Sequence, residues 1–372
     1  MIRLLTIIGA RPQIIKAAAL SREIRTNYAD KIDERILHTG QHYDDNMSDV
    51  FFRELGIPAP DYNLRVGSGT HGEQTAKMIE GIENVLLSEP FDGVVTYGDT
   101  NSTLAAAVAA SKLNIPVYHI EAGLRSYNMS MPEEINRIVC DQLSTILFAP
   151  TKTGFDNLAK EGFFVHPRQF GNGMTQRVVL SGDVMYDNAV YFSRLASSKN
   201  TILSDLGLVS KQFALATIHR PSNTDNSDNL HSILRALTDI ASAGIDVVLP
   251  LHPRTRKQLS AEQLGMLTER LIITSPLPYL DMIRLEQEAS IVLTDSGGVQ
   301  KEAFFYGTPT VILRSETEWV EIVDAGAGIL ADANYQKIMD AYLTFAGKQI
   351  NFPPLFGDGH AARIIINEIM KG

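Results

Sequence analysis

The chain has 372 residues, 44% of them apolar and 20% charged, and a formal net charge of −10. Its length exceeds one typical core and predicts two domains, while the negative charge argues against general nucleic-acid binding and requires any anion site to gather its cations locally. The single cysteine, Cys140, excludes an internal disulfide framework and a cysteine-rich metal site. No signal-peptide pattern and no membrane-length apolar run is visible, so a cytoplasmic protein without membrane contact is expected.

From the N-terminus, residues 4–8 ("LLTII") read as a buried strand, and "GARPQIIK" follows at once. Gly9 allows a sharp turn and Pro12 suits the first turn of a helix, where its missing N–H costs nothing. Arg11 and Lys16 then stand beside unpaired backbone N–H groups, a corner that suits a phosphate. An ordinary βα turn with two solvated cations is an equal alternative. Further strand-like runs are "ERILHTG", "GVVTYGD" and "PVYHIEAG", then "FALATIH", "DVVLPLH", "LIITSP", "SIVLTDS" and "PTVILR". Between them lie helical segments such as "TLAAAVAASKLN" and "NLHSILRALTDIASAG". Continuous rather than alternating apolarity predicts strands covered on both faces, as in parallel sheets. Two βαβ sets are separated by the irregular stretch 163–182, and a boundary after residue 170 is expected there. Doubly wound sheets bind ligands beyond the C-terminal ends of their strands, so the residues just after each strand are the candidates.

Asp99 follows "VVTY", with Thr100, Asn101 and Ser102 available to cap the next helix. Taken alone, Asp99 reads as part of that capping turn. Glu121 ends the strand "PVYHI", where a carboxylate needs a partner, and a salt bridge to Arg125 is the plain explanation. "MPEEINR" places Glu133, Glu134 and Arg137 at a helix start, which the helix dipole already favours for one glutamate. Three segments bringing carboxylates toward one face suit acid–base chemistry, because grouped carboxylates have separated pKa values. In the second half, His219 and Arg220 follow a strand and favour an anion contact. "TDSGGVQKE" ends a strand at Asp295 and opens a helix at about Val299. Ser296, Gly297 and Gly298 let backbone N–H groups approach a phosphate, and Glu302, one turn on, is placed to accept from ribose hydroxyls. Arg314 ends another strand. A Gly-x-Gly-x-x-Gly turn directly after a buried apolar strand, the phosphate-loop motif, metal-ligand spacing and a Gly-x-Ser-x-Gly elbow are all missing, which disfavours dehydrogenases, ATPases and serine hydrolases.

Together "GARPQIIK", "GDTNST", "HIEAGLRS", "PEEINR", "IHRPSNTD", "DSGGVQKEA" and "RSETEW" resemble the non-hydrolysing UDP-N-acetylglucosamine 2-epimerases, in order and over nearly the whole chain. The resemblance implies an α/β, GT-B-like architecture of two Rossmann-like doubly wound domains facing a central cleft. Residues 1–170 would form the first domain, with a helix at about 358–372 returning to it, and residues 171–357 the second. It implies a homodimer, a UDP-sugar substrate, and no cofactor or metal. The reaction would interconvert UDP-GlcNAc and UDP-ManNAc through loss of UDP to 2-acetamidoglucal and its re-addition, for surface polysaccharide precursors. Asp99, Glu121, Glu134 and His219 match the family's catalytic groups. Arg11, Lys16, Arg125, Arg137, Ser296, Gly297, Gly298, Glu302 and Arg314 match its substrate-binding groups.

Departures from the common pattern point to a sister branch. Ala10 and Gln13 replace Thr and Glu in the first motif. Tyr43 and Asp44 stand where regulated enzymes carry other residues, and although Gln41 and His252 fit their regulatory site, the set is incomplete, which argues against activation by UDP-GlcNAc. "GARPQ", "GSGTHGEQT" and "ETEW" are similar to enzymes that epimerise UDP-2,3-diacetamido-2,3-dideoxy-glucuronate, the alternative substrate. Its carboxylate would need one more cation, for which Arg65, Lys77 and Arg125 are candidates. A GT-B glycosyltransferase is the rival of another class, and a silent nucleotide-sugar-binding module a further one.

Overall fold

The computed structural model describes residues 1–41, 56–171, 173–251, 255–256, 259 and 268–372; Tyr43, Asp44 and His252 lie outside them. The chain divides into two units, one made of Met1–Asn188 with Pro354–Gly372 and the other of Ala189–Pro353. Among the described residues no helix is long and apolar enough to cross a membrane.

In the first unit, seven strands form one sheet: β1 (Ile2–Ile8), β2 (Ile32–His38), β3 (Tyr62–Asn63), β4 (Gly93–Tyr97), β5 (Val117–Ile120), β6 (Ile146–Ala149) and β7 (Arg177–Leu180). Their order is β3-β2-β1-β4-β5-β6-β7, and every pairing is parallel. Helices α1 (Arg11–Asn27), α2 (His71–Ser88), α3 (Asn101–Lys112), α4 (Pro132–Leu143) and α5 (Lys152–Lys160) connect them, and α6 (Val184–Lys199) follows. Strands β4, β5 and β6 are buried on both faces, which is why they read as unbroken apolar runs. Ala105, Ala106, Ala109 and Ala110 of α3 are buried against Leu5, Val94 and Val117, their small side chains letting the helix lie close to the sheet.

The second unit repeats the scheme with six strands: β8 (Phe213–Thr217), β9 (Asp246–Pro250), β10 (Leu271–Thr274), β11 (Ile291–Thr294), β12 (Thr310–Ile312) and β13 (Gly328–Leu330). Their order is β10-β9-β8-β11-β12-β13, again all parallel. Helices α7 (Ser227–Ser242), α8 (Tyr279–Glu288), α9 (Gly297–Phe305) and α10 (Tyr335–Phe345) belong to it. The last helix, α11 (Ala361–Ile369), lies in the first unit, where the Asp187 carboxylate accepts from the N–H groups of Ala361 and Ala362 at 3.0 and 2.8 Å. Both sheets have the doubly wound order in which the chain reverses direction beside the first strand, so the switch points lie between β1 and β4 and between β8 and β11.

The boundary expected after residue 170 falls too early, because β7 pairs with β6 and the division lies between Asn188 and Ala189. β7 is a four-residue edge strand, only partly buried, and its pattern is too short to stand out from the irregular sequence around it. Gly9 also has a different role from the turn expected of it. A Cβ there would lie 2.1 Å from Ser102 Oγ and 2.2 Å from Thr39 Oγ1, so glycine is required by close approach. Gly123 combines both demands, with φ +79° and a Cβ position 2.2 Å from the Gly154 carbonyl oxygen. Gly123→Ala is therefore expected to cost at least about 1 kcal/mol and to lower the thermal midpoint by about 2–4 °C or more. An unchanged midpoint would contradict this contact.

Candidate active site

At the switch point of the first unit, β1 ends against the start of α1. Gln13 is buried there: its Oε1 accepts from the N–H groups of Gly9 (2.9 Å) and Ala10 (3.2 Å), while its Nε2 donates to the Tyr97 carbonyl (2.9 Å) and Thr103 Oγ1 (3.0 Å). A glutamate has no N–H to donate, so the amide links the ends of β1 and β4 through contacts that a carboxylate could not make. Arg11 opens α1 and is exposed, while Lys16, one turn further, is largely buried and forms an ion pair with Glu121.

The acids are held by partners distant in sequence. Thr100 caps α3, accepting from the Thr103 N–H, so Asp99 is not the capping residue. Instead, Arg137 donates from Nε (2.9 Å) and Nη2 (2.6 Å) to Asp99 Oδ2, and from Nη1 to Glu134 Oε2 at 2.7 Å. Burial pushes the Asp99 carboxyl above its ordinary range, against the Arg137 and Lys16 charges and with Glu121 adding to the rise. Glu134 is 1% exposed and also accepts from the Ser126 N–H (2.9 Å), the Ser126 hydroxyl (3.0 Å) and the Tyr127 N–H (3.0 Å). Burial works against its charge, but the Ser126, Tyr127 and Arg137 donors outweigh it and hold the carboxyl below the usual range. Glu121 sits at φ +73°, a left-handed conformation unusual for a side chain of this kind and typical of functional turns.

Arg125 departs from the salt bridge expected of it. It does not pair with Glu121: its side chain is 1% exposed and bonded to Asp141 (2.7 Å) and to both oxygens of Glu161 (2.7 and 2.8 Å). The left-handed residues Glu121 and Gly123 turn the chain between the two, so their four-residue spacing does not bring them together. Arg65 is exposed at φ +49°, and Lys77 is exposed and paired with Glu73 at 2.8 Å.

The switch point of the second unit is organised by Asp295, which follows β11 and is fully buried. Its carboxylate accepts from His219 Nδ1 (2.7 Å), from the His219 and Arg220 N–H groups (3.1 Å each) and from Asn223 Nδ2 (3.0 Å). Because Asp295 only accepts, the His219 Nδ1 carries a proton and its Nε2 belongs to the side of the ring that is turned from the carboxylate. Burial raises the Asp295 carboxyl, but His219, Arg220 and Asn223 more than offset this and leave it below its usual range.

Ser296 caps α9, which begins at Gly297, two residues before the expected start, so the Gly297 and Gly298 N–H groups lie in the first turn at its positive end. A Cβ on Gly297 would lie 2.2 Å from Glu318 Oε1, so "ETEW" packs directly on the glycine turn. Arg314 donates to Glu318 at 2.8 Å, and Lys301 stacks 4.0 Å from the centroid of the Trp319 ring. Glu302 is largely buried and accepts from the Tyr279 hydroxyl at 3.1 Å.

Gln13, Asp295 and Asn136 were absent from the expected site. Asn136 Nδ2 donates to the Asp99 carbonyl at 2.9 Å. Asp295 had a usable signal, as an acid that ends a buried strand and so requires donors.

The fold and the two switch-point sites define a GT-B-like α/β enzyme. A sequence profile of the family described as UDP-N-acetylglucosamine 2-epimerase matches residues 24–370. The chain is 50% identical over 371 residues to the UDP-2,3-diacetamido-2,3-dideoxy-D-glucuronate 2-epimerase of Pseudomonas aeruginosa, covering 99% of each chain. It is 45% identical over 373 residues to a UDP-N-acetylglucosamine 2-epimerase homolog of Methanococcus maripaludis, again covering 99% of each. The crystal structure of Methanocaldococcus jannaschii UDP-GlcNAc 2-epimerase in complex with UDP-GlcNAc and UDP superposes with a TM-score of 0.84, at 38% identity and with both chains fully covered. The chain belongs to the UDP-N-acetylglucosamine 2-epimerase family, and it is an isomerase, a 2-epimerase of UDP-sugars.

The Asp295 cluster has a pH signature. A carboxyl with its folded pKa depressed stabilises the fold above its unfolded value and loses that contribution as pH falls through the folded value. Urea titrations from about pH 4 down to about pH 2 are expected to show a shallower acid-side loss for Asp295→Asn than for wild type. Identical acid limbs would remove Asp295 as a stabilising acceptor.

Proposed function

We propose that this enzyme epimerises UDP-2,3-diacetamido-2,3-dideoxy-D-glucuronate at C2, in preference to UDP-GlcNAc. The observation that carries the substrate choice is the 50% identity to the Pseudomonas aeruginosa enzyme of that name, against 39% to the Methanocaldococcus jannaschii UDP-N-acetylglucosamine 2-epimerase. The comparisons thus favour the substrate that the sister-branch motifs suggested over the UDP-GlcNAc expected first. With Arg125 buried, Arg65 and Lys77 are the remaining candidates to meet the sugar carboxylate. Arg65 lies beside Gly40 just beyond the end of β2, its Cα 2.8 Å from where a Cβ on Gly40 would stand. A homodimer in the cytoplasm, making a surface-polysaccharide precursor, completes the proposal on family resemblance.

The chemistry requires breaking C2–H while the C1–O bond to UDP breaks, with the C–H electron pair forming C1=C2 and UDP leaving with the C1–O pair. A proton then returns to the opposite face of C2, and UDP adds back at C1. Proton movement on two faces calls for more than one acid–base group, and the first unit offers Asp99 and Glu121. Asp99, raised above the ordinary carboxylate range by burial, suits a group that both takes up and releases a proton. Glu134, saturated with donors, serves by aligning Arg137 on Asp99. In the second unit the Ser296–Gly298 turn and His219 suit the diphosphate of a departing UDP, and Glu302 its ribose, with Arg314 set beside the turn by Glu318.

Proton NMR of the purified enzyme with each UDP-sugar tests the substrate choice. The kcat/KM for the diacetamido-glucuronate substrate is expected to exceed that for UDP-GlcNAc by at least about 100-fold, the scale of discrimination set by a matched polar group. Equal or reversed values would return the assignment to UDP-GlcNAc. Asp99→Asn is expected to lower kcat at least about 100-fold on the preferred substrate without loss of fold, as for a missing acid–base group. Wild-type turnover would remove Asp99 from proton transfer.

A further inference from the structure

The side chain of His119, in β5, is fully buried, and both ring nitrogens face acceptors. Nδ1 lies 2.7 Å from Asp141 Oδ1, and Nε2 lies 2.8 Å from the carbonyl oxygen of Gly98. A neutral imidazole has one N–H, so one of these contacts would set lone pair against lone pair. A proton on Asp141 Oδ1 would satisfy the same contacts, but Arg125 Nη1 at 2.7 Å and the Gly123 N–H at 3.2 Å both meet Asp141 Oδ2 and, with the ring, hold Asp141 as the carboxylate. With Asp141 a carboxylate, both ring nitrogens can donate only when His119 is an imidazolium.

The group it grips leads into Asp99. Gly98 stands at φ +63°, and a Cβ there would lie 3.1 Å from Lys16 Nζ. Its N–H donates to the Ile120 carbonyl at 3.0 Å, so with His119 on its carbonyl both backbone polar groups of Gly98 are fixed. Asn136 then holds the carbonyl of Asp99 itself.

Taking Asp99 as a proton-transfer group, as in the function proposed above, we infer that His119 is a positioning residue. It is a buried imidazolium, balanced by Asp141, that clamps the Gly98 carbonyl and so sets the Asp99 carboxylate against Arg137. The titratable groups around the ring are Asp141 and Cys140 of α4, with Arg125 reached through Asp141. Burial opposes the charge on His119, and Cys140 and Asp141 more than offset it.

Two measurements on the full chain test this. Long-range proton–nitrogen NMR with nitrogen-15 histidine is expected to show one ring protonated at both nitrogens from about pH 6 to about pH 9, where an ordinary histidine is neutral over most of the range. That signal should vanish in His119→Asn, and a neutral His119 ring in this range would overturn the inference. In steady-state kinetics on the preferred UDP-sugar, His119→Asn is expected to lower kcat about 100-fold with KM within about threefold, the pattern of a misplaced acid–base group. In Asp141→Asn the new amide can donate to Nδ1 while the Nε2–H stays on Gly98, so a neutral ring and a kcat loss of about tenfold or less are expected. A folded His119→Asn variant with kcat within about twofold of wild type, or with a KM rise matching its kcat loss, would overturn the positioning role. Should that variant not fold, the wild-type ring state and Asp141→Asn decide: a ring still charged, or a kcat loss of about 100-fold, in the latter would contradict the clamp. A wild-type enzyme inactive on both UDP-sugars would instead contradict the proposed function, while the ring state is read without substrate.

Discussion

A carboxylate taken out of water has to be met by a positive charge or by several donors, and this requirement organises the site. Arg137 is its pivot in the first unit. The guanidinium fork is rigid enough to place two nitrogens on Asp99 and the third on Glu134, which a lysine ammonium could not do with defined geometry. The two acids differ as a result. Glu134 gains four donors and is stabilised as an anion, whereas Asp99 is bound through one oxygen and stays raised by burial. One arginine thus separates an acid held as an anion from one raised by burial.

The same constraint recurs beside it and in the second unit. Lys16 meets Glu121, His119 and Arg125 meet Asp141, and His219 meets Asp295. Apart from Asp141, in the last turn of α4, the members lie in or just beyond the ends of strands or early in the helices that follow, because the doubly wound order brings those ends together at a switch point. The fold supplies proximity, and the pairing decides which groups remain available for chemistry.

Strand positions and the candidate residues after them were legible in the sequence, since unbroken Val, Ile and Leu runs have few alternatives and Asp99, Glu121, His219 and Ser296 stand next to them. Pairing was far less legible. Glu121 and Arg125 are neighbours in sequence, yet a left-handed turn parts them, and Glu121 takes a lysine from the first helix instead. The edge strand β7 was missed because four partly buried residues carry no period to recognise. The change from Glu to Gln at residue 13 read only as a family departure, although its amide bonds show a physical reason: it must donate and accept at once.

The central claim is that strand-end acids move a proton at C2 of a UDP-sugar while UDP leaves and returns. Running the reaction to equilibrium in deuterium oxide and reading both epimers by NMR tests it most directly. The account predicts deuterium at C2 of each UDP-sugar, with the sugar–UDP bond intact in the products. Epimerisation that retains hydrogen at C2, or release of free sugar and UDP, would contradict it.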